Sequence, residues 1–198
     1  PGAALRRRSS AAEQAQATAM ARGTLIHRLL QSLPDIAPER REAAAHRFLA
    51  GAGPQLSARE RNVFAGQVLA IIADPRFAAL FAPGSRAEVS IVGRLARGGG
   101  PPFPVSGQVD RLAVTADAVL IADYKTNRDP PRTVADALSA HWNYVGQLAL
   151  YRAVLGKIYS DRPIRAALVW TEIPALMELP AIKLDEAVDE AAARLTLA

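Results

Sequence analysis

Two aspartates and one lysine are spaced so that a β-hairpin would bring their charges together. Residues 115–118 have the composition of a short loop between two segments with strand-like patterning. A hairpin that turns at this loop places Asp110 directly across from Asp123, with β-carbons about 5 Å apart. Lys125 follows Asp123 on the same strand, and side chains two positions apart point to the same face. The sequence therefore predicts that two carboxylates and one ammonium converge on one patch.

Opposed carboxylates at positions 110 and 123 suit a divalent cation. Like charges placed opposite each other destabilise a hairpin unless something offsets their repulsion. Two carboxylate oxygens at one point are the hard ligands that Mg²⁺ or Mn²⁺ prefers, and a neighbouring ammonium is left to serve a bound anion. The alternative is structural, with Lys125 simply neutralising Asp123 at a solvent-facing strand end. The spacing alone leaves both interpretations open.

The segment that precedes Asp123 resembles a strand with a binding site at its end. Val119, Leu120 and Ile121 are apolar on both faces, which is typical of a strand covered by helices on both sides. The apolar run stops where Asp123 and Lys125 follow. Ligand sites in open α/β sheets usually lie at such strand ends.

The other segments predict the scaffold that positions these charges. Apolar residues recur at helical spacing at Ile26, Leu29 and Leu30, and Ser57 with Glu60 forms a capping-box pattern. The predicted elements are helices over 19–33, 38–50 and 57–73, a strand over 88–93, a loop over 97–102, strands over 105–114 and 118–125, a helix over 134–155, a strand over 164–171 and a helix over 185–195. This order predicts an α/β fold with a helical N-terminal segment and a central mixed β-sheet flanked by helices.

The composition excludes several classes of protein and site. The 198 residues suffice for one sizeable core, and no apolar run approaches the roughly 18 residues of a membrane-spanning helix. The absence of cysteine excludes disulfides, thiolate zinc sites, iron–sulfur clusters and a cysteine nucleophile. The 24 Lys and Arg against 19 Asp and Glu give a formal charge of +5, which suits either a polyanionic partner or a solvated basic face.

Five motifs, in order along the chain, resemble one known family. They are Gly23-Thr24-Leu25-Ile26-His27, Glu88-Val89, Gly107-Gln108-Val109-Asp110-Arg111-Leu112, Ile121-Ala122-Asp123-Tyr124-Lys125-Thr126 and Gln147-Leu148-Ala149-Leu150-Tyr151. Spread over residues 20–172, they resemble the RecB-type nucleases of the PD-(D/E)XK superfamily, in particular the C-terminal nuclease domains of AddA subunits of AddAB helicase-nucleases. The resemblance implies a restriction-endonuclease-like core within the α/β fold.

The resemblance also implies roles for individual residues. His27, Asp110, Asp123 and the main-chain carbonyl of Tyr124 would bind the metal, and Lys125 would assist the attacking water or the phosphate. This chemistry agrees with the charges predicted from the hairpin. A metal polarises the scissile phosphate and lowers the pKa of bound water, while the lysine charge stabilises the transition state.

Three further motif residues are expected beside the ligands. Gln147 and Tyr151 share one face of the predicted long helix, and the resemblance implies that they reach the active site or the DNA backbone. The alternative is that Tyr151 packs with Leu148 and Leu155 while Gln147 caps a strand end. Glu88 matches the family's acidic residue and is expected to support the metal ligands.

Partners and cofactors follow from the same resemblance. The domain is expected to hydrolyse the 3′-terminated DNA strand that a helicase unwinds, with Mg²⁺ or Mn²⁺, during double-strand-break repair and recombination in the bacterial cytoplasm. ATP would be used only by helicase domains upstream in the same chain, since this sequence has no Gly-x-x-x-x-Gly-Lys-Ser/Thr loop. An AddB-like subunit would be the partner. Residues 1–18 are expected to be a linker from the helicase region, and residues 19–198 a single nuclease domain.

Two other functions fit the sequence less well. A non-catalytic DNA-binding or docking module with a nuclease fold would be expected to have at least one broken motif, whereas all five are intact. A standalone RecB-like exonuclease would be expected to start at an initiator methionine, whereas the sequence as given starts at Pro1.

Overall fold

The fold is described from a computed structural model, which covers residues 2–97 and 100–196 and, for residues 2–12, 15, 195 and 196, the backbone alone. The helices are α1 (Gly2–Ser32), α2 (Pro38–Ala52), α3 (Ala58–Ala73), α4 (Val134–Ala140), α5 (Trp142–Leu155) and α6 (Ala181–Thr196), with 3₁₀ helices at Leu33–Asp35 and Pro75–Phe81. The strands are β1 (Arg86–Arg97), β2 (Gly100–Val114), β3 (Val119–Lys125), β4 (Ile164–Trp170) and β5 (Ala175–Glu178). The chain divides into two compact units, Pro1–Leu69 and Ala70–Ala198, with the boundary inside α3.

The first unit is helical, as the apolar spacing predicts. Ile26, Leu29 and Leu30 lie on one face of α1, and all three are buried. The predicted capping box begins α3: the Glu60 amide donates to Ser57 Oγ (3.2 Å), and the Ser57 amide donates to Glu60 Oε2 (2.8 Å). These two bonds satisfy amide groups that would otherwise have no partner at the start of the helix.

The first helix is longer than the sequence pattern predicts. The prediction covers residues 19–33, whereas α1 runs over Gly2–Ser32. Residues 2–18 are rich in Ala, Gln and Arg, which have high helix propensity even where no apolar face requires a helix. The assignment of residues 1–18 as a linker stays a prediction.

The second unit contains a five-stranded mixed sheet, which confirms the predicted architecture. The strand order is β1-β2-β3-β4-β5, with β3 and β4 parallel and the other neighbours antiparallel. Helices α5 and α6 flank this sheet. The core that joins them includes Ile91, Val109, Ile121, Leu148, Leu168 and Leu184. As predicted, Val119, Leu120 and Ile121 of β3 are all buried.

Helix α5 lies unusually close to the first two strands because both present a glycine to it. A β-carbon added at Gly107 would lie 1.9 Å from the Tyr151 hydroxyl oxygen. One added at Gly93 would lie 2.6 Å from Val154 Cγ1. A larger residue fits at either position only if the facing side chain or the helix shifts. The spacing between sheet and helix is therefore set by two missing side chains.

The single helix predicted over 134–155 is wrong, because the chain breaks at His141. Helix α4 ends at Ala140 and α5 begins at Trp142, while His141 takes a non-helical conformation (φ −131°, ψ 40°). No proline or glycine marks the break. Instead, the ring of His141 packs against Trp170 of β4 with centroids 5.0 Å apart. A contact distant in sequence thus overrides a continuous helical pattern.

The loop predicted over 97–102 is also too long, and one strand was not predicted. Strand β1 extends to Arg97 and β2 begins at Gly100, so residues 100–102 belong to a strand, and Gly98 and Gly99 lie outside the described residues. Within this extended part of β2, the Pro102 carbonyl accepts a hydrogen bond from the Arg94 guanidinium of β1 (2.7 Å). Strand β5 was missed because Ala175–Glu178 has no period-two pattern.

Within residues 2–97 and 100–196, no single helix has both the length and the apolar character to cross a membrane. Helix α3 and the 3₁₀ helix Pro75–Phe81 satisfy those two requirements only when they are taken together across the bend between them.

Candidate active site

The β2–β3 hairpin has the predicted register. Val114 lies opposite Val119, and Arg111 lies opposite Ala122. One step further, the same register sets Asp110 across from Asp123, but the regular pairing stops before it. Instead of bonding to a backbone carbonyl, the amide of Tyr124 donates to Asp110 Oδ2 at 2.6 Å. The strands therefore keep their register at this end, but the Asp110 carboxylate takes the place of a backbone carbonyl as the hydrogen-bond acceptor.

A third carboxylate lies on the other side of Asp110. Strands β1 and β2 pair regularly before and after Glu88, so the register sets Glu88 across from Asp110. Glu88 has a φ of +53°, a left-handed backbone that costs a non-glycine residue about 1 kcal/mol. Its carbonyl accepts a hydrogen bond from Gln108 Nε2 (2.9 Å). Such strain persists only where the surroundings impose it, and it clusters at functional sites.

Glu88, Asp110 and Asp123 thus form a line across β1, β2 and β3, which we call the carboxylate row. The carboxylate row affects the pKa of the Tyr124 phenol. Burial raises the pKa of Tyr124 above its ordinary value, Arg111 opposes the rise, and all three carboxylates add to it. The phenol is therefore neutral at physiological pH, and three acidic groups act on one buried point.

The ammonium of Lys125 is paired inside the protein and not at a solvent-facing strand end. Lys125 Nζ forms an ion pair with Asp123 Oδ2, and the two side chains are only 13% and 8% exposed. The carbonyl of Lys125 accepts a hydrogen bond from the Thr171 amide (2.9 Å). Lys125 thus neutralises Asp123, as the structural alternative requires, but the ion pair is buried and does not lie at a solvent-facing strand end. Because burying a charge pair is costly, stability alone is a weak reason for it.

A buried arginine anchors β2 beside the row. Arg111 Nε donates to the Leu80 carbonyl (3.0 Å), and another of its nitrogens donates to Ser85 Oγ (2.7 Å). The guanidinium also lies over the ring of Phe81, 5.3 Å from its centroid. Arg111 is a functional neighbour that was not predicted, although a charged residue between Asp110 and the apolar run Leu112–Val114 was a usable signal. Its bonds fix the backbone on which Asp110 stands.

Gln147 and Tyr151 share one face of α5, as their spacing predicts. Gln147 Nε2 donates to the Tyr151 hydroxyl (3.2 Å). Tyr151 is buried, and its hydroxyl occupies the space that Gly107 leaves open on β2. The tyrosine thus packs into the core, as the structural alternative expects, but it does so on the strand that carries Asp110.

His27 lies in the first unit, on α1, and its side chain is partly buried. It follows Ile26, whose side chain is in the core. Its role as a metal ligand stays a prediction, as do the catalytic and ligand roles given to the residues of the second unit.

The chemistry of the donors in the second unit fits a hard divalent cation. The carboxylate row and the main-chain carbonyl of Tyr124 offer oxygen alone, which is what Mg²⁺ and Mn²⁺ prefer. The adjacent ammonium of Lys125 cannot ligate a metal and is available for an anion. The arrangement therefore has the donor groups to hold a cation beside an ammonium that could pair with an anion.

A family model agrees with this chemistry. A model of the PD-(D/E)XK nuclease superfamily matches residues 2–196. A solved structure described as "Crystal structure of SSO0001" is similar at 15% identity, over 86% of this chain and 74% of that chain, with a TM-score of 0.36. Among curated proteins, none matches the sequence. The mixed five-stranded sheet with flanking helices is a restriction-endonuclease-like α/β fold. Since the family model matches nearly the whole chain, the chain belongs to the PD-(D/E)XK nuclease superfamily.

Proposed function

We propose that this chain is the nuclease domain of a bacterial AddA-type helicase-nuclease and that it hydrolyses the 3′-terminated single strand of DNA during double-strand-break repair and recombination. Membership of the superfamily supports a metal-dependent nuclease. The observation that carries the proposal is the carboxylate row next to the buried pair of Lys125 and Asp123. A sheet that keeps three acids in line and pairs one of them with an ammonium has the groups that phosphodiester hydrolysis needs.

The metal would be held by oxygen atoms of the second unit. Asp110, Asp123 and the carbonyl of Tyr124 are the proposed ligands, and Glu88 supports Asp110 from across the strand pair. The resemblance of residues 23–27 to a family motif adds the imidazole of His27 as a fourth ligand. When bound, Mg²⁺ or Mn²⁺ polarises the scissile phosphate and lowers the pKa of water.

Lys125 would act on the phosphate during hydrolysis. A water oxygen forms a bond to phosphorus while the bond to the leaving sugar oxygen breaks, and negative charge builds up on the phosphoryl oxygens. The ammonium of Lys125 offsets that charge, and Asp123 holds the ammonium in place through their ion pair. Because the Lys125 side chain is only 13% exposed, solvent screens the interaction of its ammonium with a nearby phosphate less than at the surface.

Gln147 and Tyr151 would guide the DNA strand. Gln147 is only partly buried, so part of its side chain is exposed and can reach the DNA backbone. Its hydrogen bond to Tyr151 fixes its position on α5. Contacts to the backbone carry no sequence information, which suits a nuclease that processes any DNA end. The formal charge of +5 is consistent with this mode of binding.

The wider setting is proposed from the resemblance alone. Helicase domains upstream in the same chain would use ATP and deliver the single strand, an AddB-like subunit would complete the complex, and the complex would act in the cytoplasm.

The test is cleavage of end-labelled linear single-stranded DNA by the chain with Mg²⁺ or Mn²⁺. Asp123→Ala and Lys125→Ala should abolish cutting. Asp161→Ala and Lys183→Ala, which remove one partner of exposed ion pairs, should leave cutting unchanged. Phosphorothioate linkages at the 3′ end should block digestion, whereas linkages at the 5′ end should not. Cutting that survives in Asp123→Ala and Lys125→Ala would refute the assignment of the site.

A folded chain that binds the metal but does not cut would point to a need for the helicase to deliver the strand. The same substitutions are then tested in the complete helicase-nuclease. A chain that neither binds metal nor cuts would favour the non-catalytic DNA-binding module instead.

A further inference from the structure

The ammonium of Lys125 lies over one ring of a cluster of three aromatic side chains. Its Nζ lies 3.8 Å from the centroid of the Tyr144 ring, within the range of a strong cation–π contact. The ring of His141 stacks on Tyr144, with centroids 5.2 Å apart and planes 7° from parallel. Trp170 is 5.0 Å from His141 and 6.3 Å from Tyr144. We call His141, Tyr144 and Trp170 the aromatic cradle.

The fold brings the cradle together from two elements that are distant in sequence. Trp170 is fully buried and pairs with Lys125 in the parallel register of β3 and β4, so it lies directly beside the lysine. His141 and Tyr144 come from the break between α4 and α5, where the Tyr144 amide donates to the His141 carbonyl (2.9 Å). The break that the sequence pattern did not predict thus lies three residues before Tyr144, whose ring contacts Lys125.

Lys125 is held differently from the other lysines of the chain, all of which the structure describes. Lys157 Nζ donates to the carbonyl of Arg94 (2.7 Å), and Lys183 Nζ pairs with Glu186 (2.7 Å). Those two ammonium groups bind oxygen alone. Lys125 binds one carboxylate oxygen and the face of an aromatic ring.

A ring face attracts an ammonium without engaging any of its three N–H donors in a directed hydrogen bond. If neutralising Asp123 were the whole role of Lys125, an ion pair would suffice. The ring adds a second point of attachment, which restricts the ammonium while leaving N–H donors for a further acceptor.

We infer that Tyr144 is a positioning residue for Lys125: its ring face fixes the ammonium so that the remaining N–H donors meet the phosphate of the DNA substrate. His141 and Trp170 hold the ring of Tyr144 at that place. This inference rests on the proposed nuclease function for its catalytic consequence, but the placement of the ammonium is a property of the protein alone.

The placement is tested by NMR on protein labelled with ¹³C-lysine. The chain has three lysines, so the ε-methylene region contains three signals, and Lys125→Arg identifies the one that belongs to Lys125. Ring currents should move that signal upfield of the other two. Tyr144→Leu should return it toward the position of Lys157 and Lys183, whereas Tyr144→Phe should leave it displaced. A signal that is not displaced in the wild type, or that stays displaced in Tyr144→Leu, would overturn the inference.

The catalytic consequence is tested by steady-state cleavage of single-stranded DNA. Tyr144→Leu should lower kcat by about tenfold, the effect of losing one desolvated cation–π contact, with little change in KM. Tyr144→Phe should recover most of the loss. A series of phenylalanines with one, two and three ring fluorines at position 144 should lower kcat stepwise while the melting temperature stays constant.

A flat fluorine series, or a Tyr144→Leu variant with the kcat of the wild type, would show that Tyr144 only fills space. These results differ from a failure of the nuclease proposal itself. In that case the wild type would not cut DNA under any condition, and the NMR series would still decide whether Tyr144 holds Lys125.

Discussion

The two ends of the β2–β3 hairpin share one register but differ in chemistry. Toward the turn, Leu112 lies opposite Ile121 and Ala113 opposite Leu120, all buried and apolar. At the other end the register sets Asp110 across from Asp123, and an amide donates to a carboxylate where a carbonyl would be expected. At the turn end, the pairing places apolar side chains in the core and so stabilises the fold. At the charged end, the regular pairing is interrupted and acidic side chains lie together.

The strain at Glu88 makes the same distinction within β1. Residues on both sides of Glu88 pair normally with β2, so the left-handed backbone is confined to the residue opposite Asp110. A sheet selected only for stability would not keep this conformation at a non-glycine residue. The comparison therefore predicts that substitutions at the charged end affect activity and substitutions toward the turn affect stability.

Asp110 and Asp117 give the sharpest test of this comparison, since they stand at opposite ends of the same hairpin. Asp110→Asn should lower the rate of DNA cleavage by about 10²- to 10⁴-fold, because it removes a charge from the carboxylate row. Asp117→Asn changes an exposed residue within the turn and should leave the rate unchanged. Single-turnover cleavage of labelled DNA measures both. Equal effects of the two substitutions would contradict the distinction.

Ile121→Ala tests the apolar end. Removal of most of a fully buried side chain should lower the free energy of unfolding by about 2–5 kcal/mol. The rate per folded molecule should stay near that of the wild type. Urea unfolding measures the loss, and Val114→Ala, at a side chain 41% exposed, is the control with a smaller effect. A large loss of rate without a loss of stability would reverse the comparison.

Gly107→Ala tests the close approach of α5 to the strand that carries Asp110. The new methyl group would overlap the Tyr151 hydroxyl, and overpacking of this kind costs about 1–3 kcal/mol. Gly146→Ala, within α5, is the matched control, because a β-carbon added at Gly146 would have no neighbouring atom within 4 Å. Thermal and urea unfolding should show a loss for the first variant and none for the second. An unchanged stability in Gly107→Ala would mean that the Tyr151 side chain or α5 moves aside at little cost.

Glu88→Gly should be more stable than Glu88→Ala by about 1 kcal/mol, because glycine adopts the left-handed backbone without strain. Both variants lack the carboxylate, so both should cut DNA more slowly than the wild type. Comparing these two variants separates backbone strain from charge. If alanine proves as stable as glycine, the backbone at this position is not strained.

The exposed pair of Arg165 and Glu178, on β4 and β5, should matter least. The hydrogen bond from Arg165 holds the pKa of Glu178 below its ordinary value of 4.5. A lowered carboxyl pKa stabilises the fold above pH 4.5, and the contribution is lost as the pH falls through the folded-state pKa. With side chains 53% and 39% exposed, Arg165→Ala should cost less than about 1 kcal/mol. Unfolding at neutral pH and in acid measures the cost, and a difference that grows in acid would contradict this sign.

The sequence predicted the hairpin register and the gathering of charges because both are local. A loop at residues 115–118 fixes which residues face each other, and Asp110, Asp123 and Lys125 follow from counting along the strands. The capping box at Ser57 and Glu60 was predictable for the same reason, since each residue contacts only its near neighbours. Local geometry therefore accounts for most of the correct expectations.

The features that the sequence did not predict depend on contacts between distant segments. The break at His141 depends on Trp170, which lies on another strand, and no proline or glycine announces it. The backbone of Glu88 depends on its place opposite Asp110, and the anchoring of Arg111 depends on the Leu80 carbonyl. These positions lie near the proposed site. There, tertiary contacts impose backbone conformations that the local sequence would not favour.

Binding of Mn²⁺ tests the central claim most directly, because it asks whether the carboxylate row holds a metal without requiring DNA or a helicase. Calorimetric titration should show one site in the wild type, with an affinity that Asp110→Asn lowers by at least about tenfold and Asp117→Asn leaves unchanged. A wild type that binds no Mn²⁺, or an Asp110→Asn variant that binds it as tightly as the wild type, would contradict the account.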